Sequence, residues 1–472
     1  MHHLLQVRTL GLFGLLALLL ATAVQPSQAQ QPLSPKIRPE PSLSNREPLR
    51  SQAPQGGSEW LVPCAASAEN WQSSVRDDTP ALNCEIYVPE SAMIFVMATG
   101  SFSMQTNAVT NTYEGRIGLT LDGVLRESSN RWGNVYALGQ LNTGETSIFA
   151  STTVFTASAG VHTLSLVGGF VGYGPLTLNN AQLTVLAFPT NSANIQVCAT
   201  DTGLGVWRAT PAFSVVRACS FNLPSNSTVF VSADGSALPI PGNEVALQFR
   251  LGVDEATTGD VRTDRYVDVD SLEPNNEQID GNDISTSIAA TFNLTAGNHT
   301  INFLGNGSGS NQAYLSRSSL VVLAFPSGSN FRTCTSMNDS SSFFSNGEFS
   351  SWANCLLTTS GFTRGIVVGN VTVGQQNGEP QVRTRLRANT NVLLGSTRTS
   401  DLTLFRMVGG QGDDKTMTSV GMSEFASGLN VFNFDGYPTN SSTVRMIDPN
   451  IHVLAFPDPF MYKQYTPLTT GE

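Results

Sequence analysis

Hydrophobic and polar residues alternate along this chain in short runs, and no segment sustains a 3.6-residue apolar period. The period is two in Ile117-x-Leu119-x-Leu121, in Leu247-x-Phe249-x-Leu251-x-Val253 and in Val382-x-Thr384-x-Leu386-x-Ala388, and an Asp or Asn follows each run. In the last of these Arg383, Arg385 and Arg387 fill the alternate positions, so one face of that strand is wet. A glycine turn then feeds a second alternating run: Gly160 before Leu164 and Leu166, Gly297 before Ile301 and Phe303, and Gly428 before Phe432 and Phe434. The closing run is five residues long and occurs three times. Val-Leu-Ala-Phe-Pro stands at Val185–Pro189, Val322–Pro326 and Val453–Pro457, and it is apolar on both faces, which suits a strand inside a covered sheet. Proline ends it.

The three copies start 137 and 131 residues apart, a domain-sized period and not that of a solenoid unit. The pattern predicts an all-β chain of three tandem antiparallel β-sandwich, jelly-roll-like domains at 58–189, 190–326 and 327–457. Seven or eight residues join each closing proline to the next cysteine, a reach of at most about 25–28 Å. Neighbouring domains must therefore touch or nearly touch, either as a stiff rod of three beads or as a compact ring in which one chain imitates a trimer.

The order of motifs in each repeat resembles the C1q/TNF-like jelly roll: an alternating strand ending in Asp-Gly, a late Ala-Gly turn feeding a strand, and an apolar last strand. The family's aromatic-rich last strand is replaced here by Val-Leu-Ala-Phe-Pro. The resemblance implies a protein without enzymatic activity and a habit of trimeric assembly.

The ends of the chain read differently. His2, His3 and Arg8 precede an apolar run from Leu10 to about Val24, and Ser27-Gln28-Ala29 offers a cleavage site, so residues 1–29 read as an export signal. Residues 30–57 are rich in Gln, Pro and Ser and read as a flexible linker; residues 458–472 form a polar tail. No second long apolar run follows, so no membrane insertion is expected. The expected destination is the extracellular space or cell surface, or the periplasm where the source is Gram-negative. A net charge of −11 argues against nucleic acid as partner.

Six cysteines fall in pairs that open each repeat, Cys64/Cys84, Cys198/Cys219 and Cys334/Cys355. No C-x-x-C and no nearby histidine supports a metal or redox site, and an exported chain favours disulfides within each repeat. Each closed loop contributes roughly 3 kcal/mol by the chain-entropy estimate.

Candidate chemistry is sparse. His162 and His299 share a place after the Ala-Gly turn that Asn430 takes in the third repeat, which suits a turn-bridging side chain better than a catalytic base. His452 lies inside the last strand without an evident partner. Asp268, Asp270, Asp280 and Asp283 crowd one acidic stretch and form a candidate Ca²⁺ site, although the spacing is not that of an EF-hand and a solvated acidic loop is the plainer reading. Trp71, Trp207 and Trp352 lie inside the cysteine loops. Exposed, they would be stacking platforms for a ligand; buried, they would cap the sandwich ends, the preferred reading. Seven Asn-x-Ser/Thr sequons matter only in a eukaryotic source.

No catalytic set emerges and no cofactor is implied. The leading expectation is a secreted or surface protein that binds an extracellular glycan or surface protein through loops. A secreted polysaccharide hydrolase and a self-associating structural surface component are the alternatives.

Overall fold

The computed structural model describes residues 60–457 except 74–77, 105–111, 137–145, 172–175, 204, 240–243, 271–283, 308–312, 330, 346, 362, 378–380, 402–413 and 440–442. The expected signal, linker and tail therefore lie outside the described residues. Among the described residues no helix is long and apolar enough to cross a membrane.

Among the described residues twenty-eight strands build three successive sandwiches. The first holds β1 (Val62–Ser73), β2 (Thr79–Val88), β3 (Ala92–Met104), β4 (Thr112–Leu121), β5 (Val124–Leu125), β6 (Arg131–Tyr136), β7 (Thr146–Ala157), β8 (Gly160–Val171) and β9 (Leu176–Pro189). The second holds β10 (Gln196–Asp201), β11 (Val206–Arg208), β12 (Ser214–Leu223), β13 (Ser227–Pro239), β14 (Glu244–Val253), β15 (Asp260–Asp270), β16 (Ile284–Leu294), β17 (Gly297–Gly307) and β18 (Ala313–Pro326). The third holds β19 (Arg332–Met337), β20 (Ser341–Phe344), β21 (Ser350–Thr359), β22 (Thr363–Asn377), β23 (Gln381–Ala388), β24 (Asn391–Val392), β25 (Arg398–Asp401), β26 (Asp414–Phe425), β27 (Gly428–Pro438) and β28 (Thr443–Pro457).

In the first sandwich one sheet runs β1-β9-β3-β7 and the other β2-β8-β4-β5, with β6 also on β4. The other sandwiches repeat the scheme as β10-β18-β13-β16 with β12-β17-β14-β15, and as β19-β28-β22-β26 with β21-β27-β23-β24. First strand beside last and second beside next-to-last is the double Greek key of a jelly roll. All pairings are antiparallel. Disulfides Cys64–Cys84, Cys198–Cys219 and Cys334–Cys355 tie the two sheets of each sandwich together, joining β1 to β2, β10 to β12 and β19 to β21.

The five-residue repeat divides its side chains between two cores. Val185 and Ala187, Val322 and Ala324, and Val453 and Ala455 each point into their own sandwich. Leu186 and Phe188, Leu323 and Phe325, and Leu454 and Phe456 point the other way, into one apolar cluster that draws on all three sandwiches. Phe95 on β3, Phe230 on β13, and Ile366 and Val368 on β22 join them there. The inner sheets of the three jelly rolls thus face each other around a shared core, and the second sheets face outward.

Candidate functional site

Below the shared core the facing sheets turn polar, and three arginines close the molecule into a cycle. Arg131 on β6, Arg265 on β15 and Arg398 on β25 are among the largest fully buried side chains. Each belongs to one repeat and is held by the next. Arg131 pairs with Asp234 of the second repeat, both side chains 0% exposed, and donates to the Arg317 carbonyl at 2.7 Å. Arg265 donates to the Asn370 side chain of the third repeat and to its carbonyl at 3.3 Å. Arg398 reaches back to the first repeat, donating to the Thr99 hydroxyl, to the Thr99 carbonyl at 3.2 Å and to the Asn180 carbonyl. Asp234, Asn370 and Thr99 sit beside the bulge in β13, β22 and β3, and Arg317 and Asn180 have left-handed φ of 48° and 50°. One device is therefore built three times with three different acceptors.

The electrostatics follow from those acceptors. Only Arg131 meets a carboxylate, and burial raises Asp234 above the ordinary carboxylate range while Arg131 opposes the rise. Burial lowers Arg265 to about 10, with Asp448 and Asp264 pulling it back, and lowers Arg398 to about 9. Both stay protonated at neutral pH. Burial also raises Asp448 to about 6 against the pull of Arg265. His452 lies in the same layer, fully buried, with its Nδ1 bonded to the Thr335 hydroxyl at 2.8 Å and near Thr291 at 3.0 Å. Burial, with Arg265 adding repulsion, pushes it down to about 3, so it is neutral.

This ring was not singled out from sequence, although a signal existed. Each arginine follows a hydroxyl by two positions: Ser129-x-Arg131, Thr263-x-Arg265, Ser396-x-Arg398. Each hydroxyl accepts the backbone N–H of a core leucine, Leu119, Leu251 or Leu386, at 2.8, 2.9 and 3.1 Å. The hydroxyl fixes the strand crossing, and the crossing aims the arginine at the next repeat.

The residues singled out from sequence sit in other places. His162 Nδ1 meets Asp122 at 2.7 Å and His299 Nδ1 meets Asp254 at 2.8 Å, while their Nε2 atoms meet the Ser158 and Thr295 carbonyls. Asn389 donates to Asn430 at 3.1 Å in the third repeat. Asp122, Asp254 and Asn389 have left-handed φ of 51°, 58° and 56°, so these side chains bridge the two turns at one end of each sandwich. Trp207 and Trp352 are buried in their cores and Trp71 is packed against its own. Each indole covers a glycine: a Cβ on Gly168 would come within 3.0 Å of Trp71 and one on Gly305 within 2.8 Å of Trp207, with Gly436 tighter still under Trp352. Trp207 and Trp352 thus lie inside their sandwiches, and Trp71 is partly buried against its own. Asp280 and Asp283 lie outside the described residues, as does the Asp270 side chain. Asp268 is buried and accepts the Asp414 N–H at 2.9 Å. Among the described residues no three His, Cys, Asp or Glu side chains gather as metal ligands.

The outward sheets differ on their middle strands. On β4 the outward positions are Arg116, Gly118 and Thr120, and on β14 they are Gln248, Arg250 and Gly252. Arg116 pairs with Asp78 and lies over Trp132; Arg250 pairs with Asp264 and lies over Phe213. On β23 all three positions are arginine. Arg385 and Arg387 share Asp435, itself 0% exposed, and Arg385 lies 3.6 Å from the centre of the Phe349 ring. Arg383 contacts the Tyr437 hydroxyl at 3.5 Å and has no ion pair among the described residues.

No protein-family model and no curated protein matches the chain. Among solved structures it is similar to the archaeal-virus protein described as "The Triple Jelly Roll Fold and Turret Assembly in an Archaeal Virus", at 10% identity over 84% of this chain and 91% of that one, with a TM-score of 0.17. An infectious bursal disease virus (Gx strain) structure gives 8% identity, 87% and 84% coverage and a TM-score of 0.19. The stem and receptor-binding domain of spike protein P1 of bacteriophage PM2 gives 9%, 58% and 100%, and 0.16. The jelly-roll assignment rests on the strand order given above.

Proposed function

We propose that this chain is an exported, non-enzymatic recognition scaffold that performs the structural work of a C1q/TNF-like trimer within one polypeptide. The observation that carries the reading is the shared core. Apolar side chains of all three inner sheets cover each other, and the buried arginines run from the first repeat to the second, the second to the third and the third to the first. The cycle is closed, so association into larger rings has no free inner sheet to use. What remains for partners is the outward sheets and the loops, with a glycan or a surface protein as ligand. Size-exclusion chromatography with light scattering should return a monomer, and a glycan array should give binding without turnover. Stable trimers, or hydrolysis on a polysaccharide panel, would overturn the reading.

A further inference from the structure

We propose that the outward face of the third repeat binds a linear acidic polysaccharide through Arg383, Arg385 and Arg387. The proposal rests on the non-enzymatic binding reading above and names its ligand class. In this chain of net charge −11, three guanidiniums in one row are an exception. They alternate along β23, so they project from one face and span about 13 Å. The row is held in place by Asp435, a buried carboxylate that accepts from Arg385 and Arg387. The residue at that point is Val167 in the first repeat and Leu304 in the second, each again just before the glycine under the tryptophan. Neither of those repeats has more than one outward arginine on its middle strand, and each such arginine has its own carboxylate. Among the described residues Arg385 and Arg387 share Asp435, the exposed Glu348 stands beside Phe349, and Arg383 makes no ion pair.

A preorganised guanidinium presents a planar fork that fits sulfate or carboxylate oxygens. A regular row of such forks along one strand suits a chain that carries an acid group at intervals. The aromatic side chains at the site are already engaged, Phe349 between Arg385 and Tyr437. Engaged in this way, they are not free to act as the buried apolar anchor that a protein interface uses. Exposed Leu356 and Leu429 lie farther along the same sheet, beyond Asn433.

Fluorescence anisotropy of the whole chain with labelled heparin oligosaccharides and with labelled oligogalacturonate tests the site and separates sulfate from carboxylate. Binding of either should weaken steeply with added salt. R383Q leaves Asp435 fully paired and should lower affinity about tenfold. R385K and R387K keep the charge beside Asp435 but lose the fork, and should also weaken binding while melting near the wild-type temperature. R116Q, on the first repeat, should change nothing. No binding to either probe, or R116Q acting like R383Q, overturns the proposal while a hit on neutral glycans would leave the recognition reading intact. Binding lost on L356S rather than R383Q would assign the face to a protein partner and overturn it too. Turnover of a probe would instead defeat the non-enzymatic reading itself.

Discussion

His162 and His299 on one side, and His452 on the other, give the molecule opposed responses to pH. Burial opposes ionisation of His162, but its bonds to Asp122 and the Ser158 carbonyl win and raise it above 6.5; the Asp254 bond leads the same rise at His299. A base raised on folding contributes stability that is complete below 6.5 and is lost as the pH climbs through the folded value. Asp122 and Asp254 are lowered below 3.8 despite burial, so their contribution holds above 3.8 and fades as the pH falls through their folded values. The turns are therefore tightest between the two limits. H162N with H299N, which installs the residue found at Asn430, should flatten the decline in melting temperature as the pH rises above 6.5. His452 runs the other way. With a folded value near 3 it stays neutral while the unfolded chain takes up a proton below 6.5, so each further unit of acidification costs about 1.4 kcal/mol until the folded value is reached. H452V, the residue that precedes the closing motif in the second repeat at Val321, should remove that acid-side slope in urea titrations. An unchanged slope would mean that His452 is not buried neutral.

At the level of elements, each sandwich depends on an indole lying over a glycine of its next-to-last strand. Gly436 leaves the least room, so G436A should destabilise the third repeat by about 1–3 kcal/mol, read as a shift in the denaturation midpoint. G428A, where a Cβ meets nothing but φ is 119°, tests backbone strain apart from packing and should also destabilise. These elements also show what a sequence exposes. The strands, the Gly160, Gly297 and Gly428 turns and the jelly-roll order follow from alternation and turn chemistry, which are local. The cysteine pairs were legible because their spacing repeats. The purpose of Leu186 and Phe188 was not, since apolar residues on both faces say only that something covers the strand. That the cover is two sister repeats is a non-local fact. The arginine row on β23 was visible as a wet face, but Asp435, which organises it, is fifty residues away on β27 and reads as an ordinary turn acid.

The whole molecule turns on three buried arginines, residues that sequence logic places in water. A buried charge is tolerated when it is paired and costly when its partner is removed. Arg131 and Asp234 form the one full ion pair of the ring, whereas Arg398 rests on uncharged oxygens, those of Thr99 and Asn180 across the joint and the Gly395 and Thr397 carbonyls of its own repeat. The three joints should therefore differ in strength despite their common geometry. R131M leaves Asp234 buried without its cation and should cost about 3–5 kcal/mol, much of it recovered in R131M/D234N. R398M strands carbonyl and hydroxyl acceptors but no charge and should cost less, about 1–3 kcal/mol. Equal losses for the two single variants in urea denaturation would show that the ring is held by packing alone. The predicted inequality would show that the first-to-second joint is electrostatic and the third-to-first joint is not, so that acid, by protonating Asp234, should loosen the first before the last.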